Sequence, residues 1–169
     1  NHGIGDSFLK EFITKIVQRC SEDMCNPFDI LLQDFYTYQI YREANNMDIV
    51  LLSKEEKTAI IIENKIWSGE SSHQLNKYLE QSRLEYSDCK HLLYVFLTPD
   101  GYDSSNPYKW ISIPYEDVIN ALENAIKEKE LRIQRAKERE IQKQEYEKQK
   151  AEKAKNIEEF WNNLKVGET

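Results

Sequence analysis

Two carboxylates and a lysine, Asp48, Glu63 and Lys65, occur in two short apolar segments, residues 47–52 and 58–66. The segments flank a polar stretch of five residues, a pattern that predicts a β-hairpin. Pairing about the midpoint between Glu55 and Glu56 places residue 48 opposite 63, residue 50 opposite 61 and residue 52 opposite 59. Because side chains alternate along a strand, Glu63 and Lys65 share the hairpin face that carries Asp48. We therefore expect two acids and one base to converge.

This convergence predicts hydrolysis of phosphodiester bonds with the help of a metal ion. Opposed like charges destabilise a strand pair, and burying an unpaired ion costs several kcal/mol. A hard divalent cation such as Mg²⁺ or Mn²⁺ would offset both costs, since it binds carboxylate, carbonyl and phosphate oxygens. Lys65 could orient or deprotonate an attacking water, or neutralise charge on the phosphate. The alternative is a simple Glu63–Lys65 ion pair at the end of a strand.

The apolar periodicity predicts an α/β fold in which helices flank a mixed sheet on both sides. We expect a first helix capped by Asp6 or Ser7, a strand within residues 30–42 and then the hairpin. A second helix over residues 71–86, strands over 92–97 and 110–113, and a last helix from Tyr115 follow. The residues expected to be buried in the three helices are Phe8, Leu9, Phe12, Ile13, Ile16 and Val17, then Leu75, Tyr78, Leu79 and Leu84, then Val118, Ile119, Leu122 and Ile126.

The charges divide the chain into two unlike parts. Residues 127–155 hold eight Lys and three Arg against seven Glu, an excess of four positive charges. Because the net charge of the whole chain is −7, the remaining residues carry a net charge of −11. We predict a domain over residues 1–126 and a charged helical extension over 127–169. The extension shows no sustained heptad, which favours a solvated single helix over a dimerising coiled coil. The large apolar residues Phe160, Trp161 and Leu164 nevertheless require a partner surface.

Composition and cysteine usage exclude several classes of protein. The chain has 40% apolar and 31% charged residues with few glycines and prolines, which excludes collagen-like and fully disordered proteins. No apolar run approaches the ~18 residues of a membrane span, and no secretory signal opens the chain. Three cysteines without a CxxC pair are typical of reduced thiols, so we expect a cytoplasmic protein without a zinc site.

The arrangement of these motifs resembles the PD-(D/E)XK nuclease superfamily. The resemblance rests on Asp48, on the run Glu63-Asn64-Lys65 after an apolar strand, and on Gln74 to Tyr78 opening the next helix as a QxxxY element. The opening HGIGDSFL, the Arg-Glu before MDIVL and the run IIENKI are similar to a bacterial family described only as PD-(D/E)XK nuclease-like. The likeness extends over about residues 1–115, and Met47 replaces the proline of the motif's name.

The resemblance implies a restriction-endonuclease-like fold and a Mg²⁺- or Mn²⁺-dependent nuclease acting on DNA. It implies that Asp48 and Glu63 are metal ligands, that the carbonyl of Asn64 completes the shell, and that Lys65 is catalytic. It places Gln74 and Tyr78 near the substrate phosphate; the alternative is that Tyr78 packs on the sheet and Gln74 is exposed. Related nucleases often add a helical acid, for which Glu11 and Glu43 are candidates.

Two other functions stay open at this point. RNA cleavage would use the same residues as DNA cleavage. A nuclease-like core that no longer cuts would act as a binding or assembly module, joined through the C-terminal helix to a partner protein or to a second copy. Secondary candidates for contact with nucleic acid are His2, Trp67, His73, Lys77, Arg83, Lys90 and Lys109.

Overall fold

The computed structural model describes residues 4–21, 23–66 and 72–166, and in the last range the side chains of residues 73–162. The elements, in chain order, are α1 (Gly5–Gln18), α2 (Pro27–Leu31), a short 3₁₀ helix (Phe35–Thr37), β1 (Gln39–Ala44), β2 (Met47–Ser53), β3 (Thr58–Asn64), α3 (Ser72–Glu85), β4 (His91–Thr98), β5 (Trp110–Pro114) and α4 (Tyr115–Val166). The predicted α/β, restriction-endonuclease-like class with a long C-terminal helix is confirmed.

The five strands form one mixed sheet in the order β1-β2-β3-β4-β5. Strand β2 is antiparallel to both β1 and β3, whereas β3, β4 and β5 run parallel to one another. In the β2–β3 hairpin Val50 pairs with Ile61 and Leu52 with Ala59, so the predicted register is confirmed. The first pair of this ladder is Ile49 with Ile62, and one further step places Asp48 level with Glu63.

Each face of the sheet has its own apolar core. Ile60 and Ile62 of β3 belong to the core that also contains the buried face of α1. Ala59 and Ile61 belong to the core on the other face, which Leu75, Tyr78 and Leu79 of α3 cover. Because β3 is buried on both faces, the acidic residue near its end, Glu63, lies inside the domain and not at its surface.

The segment before β1 differs from the prediction. The strand expected within residues 30–42 begins only at Gln39, because α2 and the 3₁₀ helix occupy the chain before it. Pro27 stands in the first turn of α2, and the side chain of Asn26 caps that turn by accepting from the Phe28 amide. The sequence pair Asn-Pro therefore marks the beginning of a helix and not only a connection.

Three predicted features of the helices are also wrong. Helix α1 begins at Gly5 after Ile4, without a side-chain cap from Asp6 or Ser7. Leu84 is 82% exposed, because Ser82 faces the sheet in its place and bonds to Tyr94. In α4 the buried apolar positions are Ala121 and Ala125, while three larger apolar residues predicted to be buried are exposed: Ile119, Leu122 and Ile126.

The chain separates into two compact units, residues 1–126 and residues 127–169. Within the second unit the side chains of Leu131, Ile133, Ile141 and Tyr146 are exposed, as are Phe160 and Trp161. Leu164 lies outside the described side chains. None of the helices in the described ranges is both long and apolar enough to cross a membrane.

Candidate active site

The candidate residues are brought together where β2 begins and β3 ends. Asp48 is the second residue of β2, and Glu63 and Asn64 close β3. Lys65 follows directly, and its backbone amide donates to the carbonyl of Leu97 in β4 at 2.9 Å. This bond continues the parallel pairing of β3 and β4 by one residue, so it fixes the backbone that carries the lysine.

Glu63 is fully buried, with 0% of its surface exposed. Its Oε1 lies 2.7 Å from Nζ of Lys65, an ion pair, and Oε2 has no hydrogen-bond partner among the described residues. Burial raises the pKa of the Glu63 carboxyl above its ordinary value; nearby Asp48 adds to the rise and Lys65 opposes it. A buried carboxylate with a free oxygen is costly unless another cation completes its environment.

Asp48 is held by the backbone of the opposite strand. Its Oδ2 accepts from the amide of Asn64 at 2.9 Å. The side-chain Oδ1 of Asn64 in turn accepts from the hydroxyl of Tyr115, the first residue of α4, at 2.7 Å. Asn64 is therefore fixed from both sides. Sequence analysis did not identify Tyr115, since a tyrosine after a proline carries no signal of this contact.

Lys65 is positioned by the first turns of α3. Its Nζ donates to Oε1 of Gln74 at 2.8 Å, and Nε2 of Gln74 donates to the hydroxyl of Tyr78 at 3.1 Å. Tyr78 is buried, and its ring lies 6.3 Å from that of Trp110. Burial raises the pKa of Tyr78 to about 12, with nearby Glu63 adding to the rise, so its hydroxyl is neutral. Gln74 and Tyr78 lie on one helix face, and the bonds they make here lead to Lys65.

The four side chains thus form a row of contacts from Glu63 to Lys65, Gln74 and Tyr78, beside Asp48. In a comparison with protein families, a family model described as PD-(D/E)XK nuclease superfamily matches residues 1–155. The chain belongs to this superfamily. No curated protein and no solved structure matches it.

The donor set of this PD-(D/E)XK superfamily member suits a hard divalent metal, which such nucleases typically use. The carboxylates of Asp48 and Glu63 and the carbonyl of Asn64 are oxygen donors, and Oε2 of Glu63 is free to bind. The described ranges hold no group of three or more His, Cys, Asp or Glu that could ligate a metal. Two carboxylates are enough for Mg²⁺, which keeps several waters and takes further oxygens from a phosphate.

Of the two candidates for an additional acid, Glu43 lies level with Asp48 in the β1–β2 register, whereas Glu11 belongs to α1. Glu11 of α1 accepts from Asn124 of α4 at 3.2 Å. Glu43 of β1 is exposed and has a left-handed backbone with a φ of 53°. A third carboxylate for the superfamily member is therefore not assigned.

The secondary candidates are scattered. His2 and Trp67 lie outside the described residues. His73 is exposed at the start of α3, and Lys90 pairs with Asp29 at 3.7 Å on the surface. Exposed basic residues elsewhere in the domain are Lys77, Arg83 and Lys109. Their predicted contacts with nucleic acid stay predictions.

Proposed function

We propose that this member of the PD-(D/E)XK nuclease superfamily hydrolyses phosphodiester bonds of DNA and depends on Mg²⁺ or Mn²⁺. The observation that carries the proposal is the buried carboxylate of Glu63, which has one free oxygen, stands level with Asp48 and pairs with Lys65 at 2.7 Å. Maintaining that charge in the core is unfavourable for a purely structural protein. A site for a cation and a phosphate accounts for it.

Asp48, Glu63 and the carbonyl of Asn64 would hold the metal. When bound, a divalent cation neutralises charge on the scissile phosphate and acidifies a water molecule at neutral pH. The chain contributes the geometry, since the Asp48–Asn64 bond and the Asn64–Tyr115 bond hold the two strand ends in one register. A fixed pair of carboxylates requires little reorganisation during the reaction.

Lys65 would stabilise the negative charge that develops on the phosphate and orient the attacking water. Its side chain is only 14% exposed and its ammonium is held by Glu63 and Gln74, which leaves one N–H for the substrate. Tyr78 holds Gln74 in turn through its hydroxyl. We assign Gln74 and Tyr78 to this support of Lys65 as well as to the predicted binding of the phosphate.

The test is to incubate the protein with supercoiled plasmid, linear duplex, single-stranded DNA and RNA, with Mg²⁺, Mn²⁺ or a chelator. We expect the DNA substrates to be cleaved with metal only. The variants Glu63→Gln and Asp48→Asn should lose activity by about 100-fold or more, because each removes a charged metal ligand. Calorimetry with Mn²⁺ should show uptake by the wild type and none by Glu63→Gln.

The matched control is Glu80→Gln, which removes an exposed carboxylate from α3 and should leave cleavage and Mn²⁺ uptake unchanged. Identical products from the wild type and Glu63→Gln would exclude this site as the source of activity. Cleavage of RNA but not of DNA would mean that the substrate is RNA and not DNA as proposed. Binding of nucleic acid without cleavage under any condition would favour a binding module.

A further inference from the structure

A groove of about 750 Å³ lies beside the edge strand β1 and has not been assigned a role. One side consists of the β1–β2 hairpin and the β2–β3 loop, and the other side consists of the C-terminal end of α3. Leu52 and Tyr86, which line it, pack against the apolar core on the α3 side of the sheet. The groove therefore opens on the face of the sheet that carries Glu63.

One end of the groove lies near Asp48 in the register of the sheet. Ala44 and Asn45 line this end, and Ala44 pairs with Met47, the residue directly before Asp48. Along β2 the lining residue Leu52 lies four positions from Asp48 on the same face, or about 13 Å at the rise of a strand. A stacked nucleic-acid strand rises ~3.4 Å per nucleotide, so that distance corresponds to about four nucleotides.

The two sides of the groove differ in charge. Lys54 and Lys57 come from the β2–β3 loop, and within the described ranges neither forms an ion pair with a carboxylate. Glu85 and Asp88 come from the end of α3. The loop is anchored, because the carbonyl of Lys57 accepts from the amides of Lys90 and His91 at 2.7 and 3.1 Å. The lysines are thus held on one side in advance of binding.

Two tyrosines supply flat apolar surfaces between these charged sides. Tyr41 of β1 is 36% exposed, and Tyr86 is half-buried. Burial, with a contribution from Glu85, raises the pKa of Tyr86 above its ordinary value. Aromatic rings beside a row of lysines are typical of surfaces that bind single strands, since unpaired bases expose faces that a duplex keeps stacked.

We propose that this groove binds a single strand of nucleic acid and leads it to the phosphodiester bond at Asp48 and Glu63. The inference rests on the proposed nuclease function. The phosphates lie along Lys54 and Lys57, and unpaired bases stack on Tyr41 and Tyr86. Glu85 and Asp88 face the bases, whose exocyclic amino groups donate to carboxylates.

The test is the anisotropy of a fluorescein-labelled single strand of about ten nucleotides, a length within the range of known single-strand sites. Binding is measured in chelator, where a gel shows that the strand stays intact, over a series of salt concentrations. The double variant Lys54→Gln/Lys57→Gln should bind more weakly, with a log–log salt slope that is smaller by about 1.4, because two phosphate contacts are lost. Tyr41→Leu should weaken binding by about tenfold with an unchanged slope, whereas Tyr41→Phe should bind as the parent does.

The matched controls are Lys10→Gln on α1 and Tyr36→Leu in the 3₁₀ helix, both exposed and outside the groove. The groove proposal is overturned if the double variant keeps the parent's affinity and slope, or if Lys10→Gln weakens binding as strongly. A strand that binds with the expected slope but stays intact after addition of Mg²⁺ supports the groove and contradicts the nuclease function. If the wild type cleaves the strand but the groove variants bind it as the wild type does, the nuclease function is supported and the groove proposal is contradicted.

Discussion

The carboxylate of Glu63 lies next to the α3-side core, where burial favours its protonated form. Lys65 offsets part of this cost at 2.7 Å, but Oε2 has no partner within the described part of the chain. A buried carboxylate is usually stabilised by one ion pair whose remaining oxygens and N–H groups form hydrogen bonds. The chain instead keeps a second acid, Asp48, beside it. The second anion adds repulsion, which a bound cation would offset.

At the scale of single residues, the hydrogen bond from Tyr115 to Asn64 is the contact that the sequence did not indicate. Tyr115→Phe removes the hydroxyl that donates to Oδ1 of Asn64 at 2.7 Å. We expect metal affinity to fall by about fivefold, since one lost hydrogen bond is worth ~1 kcal/mol and Asn64 also holds Asp48. Mn²⁺ calorimetry measures the affinity, and a higher Mg²⁺ concentration should restore the rate of cleavage.

The control for this prediction is Tyr108→Phe, which changes a tyrosine that is 84% exposed. It should leave both metal affinity and cleavage unchanged. Equal metal affinity in the wild type and Tyr115→Phe would mean that Asn64 is held without the help of α4.

The raised pKa of Tyr38 predicts how the free energy of unfolding changes at alkaline pH. This tyrosine is buried, donates to Oε1 of Gln33, and has a pKa that burial raises from 10.0 to about 12. Above pH 10 the unfolded chain ionises this phenol while the folded chain keeps it neutral, so the free energy of unfolding should fall between pH 10 and about 12. In urea denaturation the fall should be shallower for Tyr38→Phe than for the wild type. Parallel pH profiles of the two proteins would contradict the assignment.

At the scale of elements, the β1–β2 turn places Asp48. Asn45 and Asn46 both have a positive φ, 52° and 61°, which is the geometry of a two-residue hairpin turn of type I′. Asn46→Gly should stabilise the domain by a few tenths of a kcal/mol, because glycine adopts this φ without strain. Asn46→Ala should destabilise it by ~1 kcal/mol, and melting temperatures by circular dichroism compare the pair. The reverse order would mean that this turn does not determine the register.

The order of the main elements and the hairpin register were predictable from the sequence for one physical reason. Each depends on the alternation or periodicity of apolar residues, and in β3 the run from Ala59 to Ile62 is buried on both faces as its composition indicates. The proximity of Asp48 and Glu63 follows directly from that register. The predicted roles of Gln74 and Tyr78 stay predictions, and their bonds to Lys65 depend on where α3 docks.

The wrong predictions about the buried faces of the helices concern contacts between distant segments. Ser82 replaces Leu84 on the buried face of α3 because its hydroxyl bonds to Tyr94, and periodicity does not reveal that partner. Ala121 and Ala125 replace larger residues in α4, where the space next to the core decides which side chain fits. Tyr115 contacts Asn64 across 51 positions of the chain. Such pairs are set by packing and not by local pattern.

At the scale of the whole molecule, the two units can be separated in an experiment. No described residue beyond Ala125 is buried, and both apolar cores consist of residues from the first unit. A chain that ends after Ile126 should therefore fold, with a melting temperature within about 4 °C of the full-length value, the change expected for ~1 kcal/mol. Circular dichroism and size-exclusion chromatography measure this. An unfolded or aggregated product would show that residues 127–169 are required for folding.

The burial of Glu63 has a consequence for how lineages of this domain change over time. An apolar residue at position 63 would remove the proposed metal ligand but would also leave Lys65 without its carboxylate, so the core is relieved of charge only when positions 63 and 65 change together. Descendants that lose the proposed cleavage in this way would keep a stable fold and become available for other functions.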